Sequence, residues 1–208
     1  MEPRRARGRP RADDVQELEK RLVRVARQCF LAKGYGATSM NEIAKAARVS
    51  KGTLYARFQT KADLFRAIID AQIKSRGGPW KFSDPQPKTI AEMLRAYARL
   101  SFEASLKEEI LQLNRLIYSE AGRFPELGEA AWQRSRVGVQ EVAQFISDYA
   151  AREGISCSDP EAVADTFTTM LRGLYGDQML RGRVIDQEEI IASANRMIEV
   201  LLADKHNW

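Results

Sequence analysis

Residues 49 to 65 read VSKGTLYARFQTKADLF, a short stretch dense in hydrogen-bond donors. Lys51, Thr53, Tyr55 and Arg57 carry donors that no small core can satisfy, while Val49, Leu54 and Phe58 are spaced to seat the segment on one. Donors directed outward from a basic helix suit a partner rich in acceptors. Other chemistry is hard to assemble from this chain. The single histidine, His206, follows the last apolar run at residues 200–202 and reads as a solvated tail residue. Cys29 and Cys157 lie far apart without the spacing of a zinc site or a disulfide framework, and Cys29 sits among Val25, Ala26 and Phe30 as a core residue would. No Glu-x-x-His pair, Gly-rich phosphate loop or evident nucleophile with its base is present. Glu108 with Glu109, and Glu188 with Glu189, point about 100° apart on a helix and read as solvated faces. No metal, cofactor or enzymatic activity is expected.

The 208-residue chain is 44% hydrophobic, enough for a substantial core in one large domain or two small ones. No run of eighteen apolar residues exists, and the basic start MEPRRARGRPR leads into no apolar segment, so neither a membrane span nor a secretory signal is expected and the protein should be cytoplasmic. Net charge is +5, unevenly spread. Residues 1 to 76 hold 18 Lys and Arg against 8 Asp and Glu, whereas residues 77 to 208 hold 15 against 20. The first third is therefore suited to a polyanion and the remainder is not.

The elements that must position these donors read as helices throughout. Val15, Leu18, Leu22, Val25, Ala26, Cys29 and Phe30 form one apolar stripe, with Asp13 and Asp14 near the positive helix start and Gly34 as a left-handed cap. Ser39 and Glu42 make a capping box that opens a helix with Met40, Ile43, Ala44 and Ala47 on one face. Ser50 can cap the quoted helix, expected to run to about Arg57. Thr60 and Asp63 form a second box before Leu64, Phe65, Ile68, Ile69 and Ile73. Glycines and prolines between 77 and 87 mark a boundary where the charge changes sign. Beyond it, helices are expected near 88–105, 107–121, 124–152, 160–181 and 187–203. The chain thus divides into a basic arm (1–12), a helix-turn-helix unit (13–59), a connecting helix (60–76) and a C-terminal domain (77–208). The fold class is all-α, with about nine helices.

Two short helices joined by a tight turn, with small Ala44 at their crossing and the second helix polar and basic, make a helix-turn-helix. The stretch FLAKGYGATSMNEIAKAARVSKGTLYARFQTKADLF resembles the DNA-binding domain of the TetR family of bacterial transcriptional regulators. It matches that pattern through Phe30, Gly34, Thr38, Ile43, Ala44, Val49, Ser50, Gly52, Leu54, Tyr55, Phe58, Lys61 and Leu64. Arg48 stands where a glycine is usual, and Arg57 where histidine is frequent. With a positive φ, Arg48 would cost about 1 kcal/mol relative to glycine, which a phosphate contact could offset.

The resemblance implies an all-helical homodimer, a palindromic double-stranded DNA operator and a ligand-responsive C-terminal domain. The DNA-contacting set is then Thr38, Ser39, Arg48, Ser50, Lys51, Gly52, Thr53, Tyr55, Arg57 and Lys61. Lys51, Gly52 and Thr53 lie near base edges, and Tyr55 and Lys61 at phosphates; Arg57 fits either duty, and Tyr55 also reads as a surface anchor. Arg7, Arg9 and Arg11 form a segment that either tracks a minor groove or is a solvated basic tail. The regulatory half resembles the AcrR type loosely. There Met93, Tyr97, Phe102, Tyr118, Trp132, Phe167, Met170 and Tyr175 either line a pocket for a small hydrophobic effector or are core. Arg115 either recognises an acidic group or pairs with Glu103 or Glu120. The resemblance puts the dimer interface on the last two helices, at Phe167, Leu171, Leu174, Ile191, Ala194, Met197, Ile198 and Leu201. The expected function is a sequence-specific repressor released by its effector; an architectural DNA-binding protein and a helical-bundle enzyme are the competing readings.

Overall fold

A computed structural model describes residues 12–75, 81–82, 85–180 and 186–208. These are all-α: α1 (Ala12–Lys33), α2 (Met40–Ala46), α3 (Lys51–Tyr55), α4 (Lys61–Ser75), α5 (Ile90–Ser105), α6 (Glu108–Glu120), α7 (Pro125–Glu153), α8 (Pro160–Leu180) and α9 (Gln187–Ala203), then a short 3₁₀ turn (Lys205–Asn207). Arg7, Arg9 and Arg11, and the glycines and proline at 77–79, lie outside the described residues, as does the side chain of Ile73.

The helix starts follow from local chemistry. Ser39 Oγ accepts from Glu42 N at 3.2 Å while the Glu42 carboxylate accepts from Ser39 N at 2.9 Å, which completes the first box. Thr60 and Asp63 make the second, with both reciprocal bonds at 3.0 Å. Ser50 Oγ accepts from Thr53 N at 3.0 Å and opens α3, which ends at Tyr55, two residues short of the expected Arg57. Gly34 follows α1 at φ 85°, and Arg48 takes φ 53° in the turn between α2 and α3.

Two apolar cores organise the molecule. The first gathers Leu22, Ala26 and Phe30 of α1 with Ile43 and Ala44 of α2, Leu54 of α3, and Leu64, Phe65, Ile68 and Ile69 of α4. It continues without a break into Leu113, Leu116 and Ile117 of α6 and Leu127 and Ala130 of α7. The second gathers α5, the rest of α7, α8 and α9 around Met93, Leu94, Phe102, Val139, Val142, Ile146, Phe167 and Ile190. Helices α6 and α7 thus contribute to both cores, and α4 packs on α7 as well as on α1. The helix-turn-helix is therefore seated on the larger domain by a continuous apolar contact.

Candidate functional site

The turn and the second helix of the helix-turn-helix present their polar side outward. Leu54 is fully buried, Val49 and Phe58 are half-buried, and Lys51, Gly52 and Arg57 are exposed. Tyr55 is 45% exposed, far more than a phenol used to fill a core. A Cβ built on Gly52 meets only Ser50 Oγ, at 3.8 Å, so the fold itself does not require glycine there. Ser39, Arg48 and Ser50 are exposed at the same end. The Thr53 hydroxyl shares a hydrogen bond with Ser50 Oγ at 2.8 Å, which leaves each oxygen with further bonding capacity. Arg57, left between two duties by its sequence, reaches back to Glu19 of α1 at 3.5 Å.

Two residues expected at DNA point elsewhere. Thr38 is 2% exposed, and its hydroxyl donates to Gly34 O at 2.7 Å and Cys29 O at 3.2 Å, closing the end of α1. The Lys61 ammonium donates to Tyr35 O at 2.7 Å, Thr38 O at 3.1 Å and Gly36 O at 3.4 Å, and lies 4.4 Å from the Tyr35 ring centroid. It is spent on the α1–α2 turn rather than offered to a phosphate.

That turn is the centre of a junction the sequence reading did not identify. The Glu120 carboxylate, at the end of α6, accepts Tyr35 N at 2.7 Å and Gly36 N at 2.9 Å. The Tyr35 hydroxyl donates to Glu126 at 2.9 Å, and its ring packs edge-on against Phe124 with centroids 5.1 Å apart. Burial, then the bond to Glu126, raises the Tyr35 phenol well above its ordinary pKa. Two glycines of this turn allow close approach. Gly34 has positive φ and a Cβ on it would stand 2.8 Å from Glu120, while a Cβ on Gly36 would stand 2.9 Å from Phe124. The Tyr-Gly pattern around Gly34 was the available signal, but its partner lies 85 residues away.

On the other side of α6 a cavity of about 340 Å³ opens between α5, α6, α7 and α8, reached also by Gln72 of α4. Of the expected pocket residues, Tyr97, Phe102, Tyr118 and Tyr175 line it. Met93 and Phe167 are core at 0% and 1% exposure. Met170 is half-buried off the cavity, Trp132 is 56% exposed, and neither lines it. Arg115 is exposed on the opposite side of α6, beside Leu31 and Ser119; among the described residues no ion pair joins it to Glu103 or Glu120. The polar lining that sequence reading missed is Asn114, Arg134, Thr168 and Arg172. Arg134 donates to Gln72 Oε1 at 3.0 Å and Asn114 Oδ1 at 3.1 Å; Asn114 Nδ2 donates to Tyr175 Oη at 3.0 Å, which donates to Ser105 O at 3.2 Å.

The expected dimer surface divides by face. Phe167, Leu171, Ala194 and Ile198 are at most 5% exposed and belong to the protein's own second core, so they are not available to a partner. Leu174, Ile191, Met197 and Leu201 are half-buried on the same helices. Leu180 on α8 and Val200 on α9 stand 88% and 73% exposed.

The family model of the tetR family of bacterial regulatory proteins matches residues 22–68, and that of the AefR-like transcriptional repressor C-terminal domain matches residues 92–204. Transcriptional regulator AcuR of Cereibacter sphaeroides is 32% identical over 172 residues, 77% of this chain and 76% of that protein. HTH-type transcriptional regulator QacR of Staphylococcus aureus is 36% identical over 84 residues, 40% of this chain and 45% of that one. Among solved structures, the flavonoid-responsive regulator FrrA is similar at a TM-score of 0.72 and 29% identity, over 90% of this chain and 96% of that one. The outward-facing donors of α3 thus stand on a chain that belongs to the tetR family, whose members are DNA-binding transcriptional regulators.

Proposed function

We propose that the protein is a homodimeric repressor that a small effector releases from a palindromic operator. One observation carries this reading: α6 lines the cavity through Asn114 and Ile117 and holds the α1–α2 turn through Glu120. A ligand that shifts α6 acts directly on the support of the DNA-reading unit. Similarity to a regulator described as flavonoid-responsive supports ligand control of this kind.

In this reading Lys51, Gly52 and Thr53 approach base edges, and Ser39, Arg48, Ser50, Tyr55 and Arg57 approach the backbone. Two copies would set their α3 helices roughly 34–36 Å apart, one turn of duplex or a multiple. The copies would meet on α8 and α9 through Leu180, Val200 and the half-buried Leu174, Ile191, Met197 and Leu201. We assign the protein no catalytic role and place its action in the cytoplasm, with the DNA.

The experiment is selection of a binding fragment from a randomised DNA pool, followed by comparison of Lys51→Ala and Tyr55→Ala on that fragment and on random duplex. The repressor reading expects the selected site to be two-fold symmetric and Lys51→Ala to weaken it by about 1–3 kcal/mol while random DNA changes far less. Equal weakening on both DNAs, with no sequence selected, would instead establish an architectural binder.

A further inference from the structure

The cavity has an electrostatic composition unlike its surroundings. Residues 77 to 208 are net acidic, yet the cavity lining includes two arginines, Arg134 and Arg172, and no aspartate or glutamate. Arg134 is half-buried, and its hydrogen-bond partners are neutral amide oxygens of Gln72 and Asn114. Arg172 is exposed and donates to the hydroxyls of Ser135 and Thr169. Among the described residues no carboxylate pairs with either guanidinium. A cation withdrawn from water without a counter-charge is an expensive arrangement in a fold, and it is relieved when an anion enters.

We infer that the effector is a small carboxylate with an apolar body, its carboxylate bound by Arg134. This deepens the ligand-responsive reading above and rests on it. Two of the five N–H donors of Arg134 are used in the bonds to Gln72 and Asn114, so three remain for a carboxylate, a partner that suits guanidinium geometry. Phe102, Ile117, Val137 and Leu171 line the rest of the cavity and accept the apolar body. Desolvation lowers the Arg134 pKa, as expected of a guanidinium held away from water without an anion. The bond to Gln72 gives binding a route outward. Gln72 belongs to α4, the helix that leads from the DNA-reading unit, and a carboxylate on Arg134 competes with its amide oxygen for the same cation.

The test uses the full-length protein and matched pairs of neutral and charged probes: benzoate, 3-phenylpropanoate and octanoate, each against its primary amide, with a neutral flavonoid alongside. Calorimetry should show at least one carboxylate binding about tenfold or more tighter than its amide, the discrimination expected of a hydrogen bond to a charged group. Arg134→Gln should remove that preference and Arg134→Lys should keep part of it. The wild-type comparison stands even if a variant folds poorly. The inference is overturned if no carboxylate binds, if the amides or the flavonoid bind as tightly as every carboxylate, or if Arg134→Gln retains the preference. Release of the selected DNA fragment, read by anisotropy, separates the two readings. Neutral compounds that release DNA while carboxylates do not would sink the anion assignment and leave ligand control standing. Carboxylates that bind through Arg134 without releasing DNA would likewise overturn the inference, because the effector would then be another compound.

Discussion

Gly52 and Arg48 each violate a local preference, and in neither case does the protein's own packing require it. Gly52 lies inside a helix with room for a methyl group. Gly52→Ala should therefore raise stability by up to about 1 kcal/mol in urea unfolding, and, on the proposed approach of α3 to base edges, weaken binding to the selected DNA because the added Cβ would stand in the way. Higher stability with unchanged DNA affinity would mean that α3 does not approach DNA at this residue. Arg48 is exposed at φ 53°, and Arg48→Gly should stabilise the free protein by about 1 kcal/mol. If its guanidinium meets a phosphate, the same change lowers the slope of log affinity against log salt by about 0.9. An unchanged slope would leave the strain without a function in DNA binding.

At the scale of elements, the junction between the α1–α2 turn, α4 and the α6–α7 connection is held by two charged groups whose partners are mostly backbone. Lys61 supplies a cation to three carbonyl oxygens, and Glu120 supplies an anion to two N–H groups of the same turn. Lys61→Met and Glu120→Gln should each cost about 1–3 kcal/mol, seen as a lower urea midpoint. The double variant should lose less than the sum, because both side chains hold Tyr35 and Gly36. Strict additivity would show that the two contacts are independent. The start of α2 has its own pH signature. Bonds from Lys33 and from Ser39 lower the Glu42 pKa from 4.5 to about 2. A carboxylate pKa depressed by folding contributes stability that is present above its unfolded value and lost as pH falls toward the folded one. Melting temperatures between pH 4.5 and pH 2 should therefore fall more steeply in the wild type than in Glu42→Gln, and parallel profiles would contradict the assignment.

For the whole molecule, the decisive quantities are charge distribution and linkage. Basic residues concentrate in the first third of the chain, so affinity for DNA should fall steeply with salt. Removing residues 1–11, which include five arginines, should make that dependence shallower if the arm follows a groove; an identical slope would show that it does not touch DNA. If the proposed effector acts on the proposed operator through one equilibrium, whatever factor the effector takes from operator affinity, the operator takes from effector affinity. A compound that binds free and DNA-bound protein equally well is no effector, however tightly it binds. Among the described residues no helix is long and apolar enough to cross a membrane.

Helix starts, the glycine cap after α1, the helix-turn-helix and its outward donors were legible in sequence because each is settled within a few residues. A serine three residues before a glutamate caps a helix wherever that helix packs. What lay beyond the sequence was the direction of long polar side chains and the choice of face. Lys61 reads as a phosphate ligand until the α1–α2 turn is folded beneath it, and Thr38 reads as a surface hydroxyl until the end of α1 closes over it. Phe167 and Ile198 fall on apolar stripes, but a period alone does not say whether a stripe meets its own domain or a second copy. Arg134 shows the difference most clearly. Its partners Gln72 and Asn114 lie 62 and 20 residues away, and only the packing of α4, α6 and α7 makes it a cation with no counter-charge among the described residues, because burial and electrostatic pairing are properties of the assembled helices and not of any one of them.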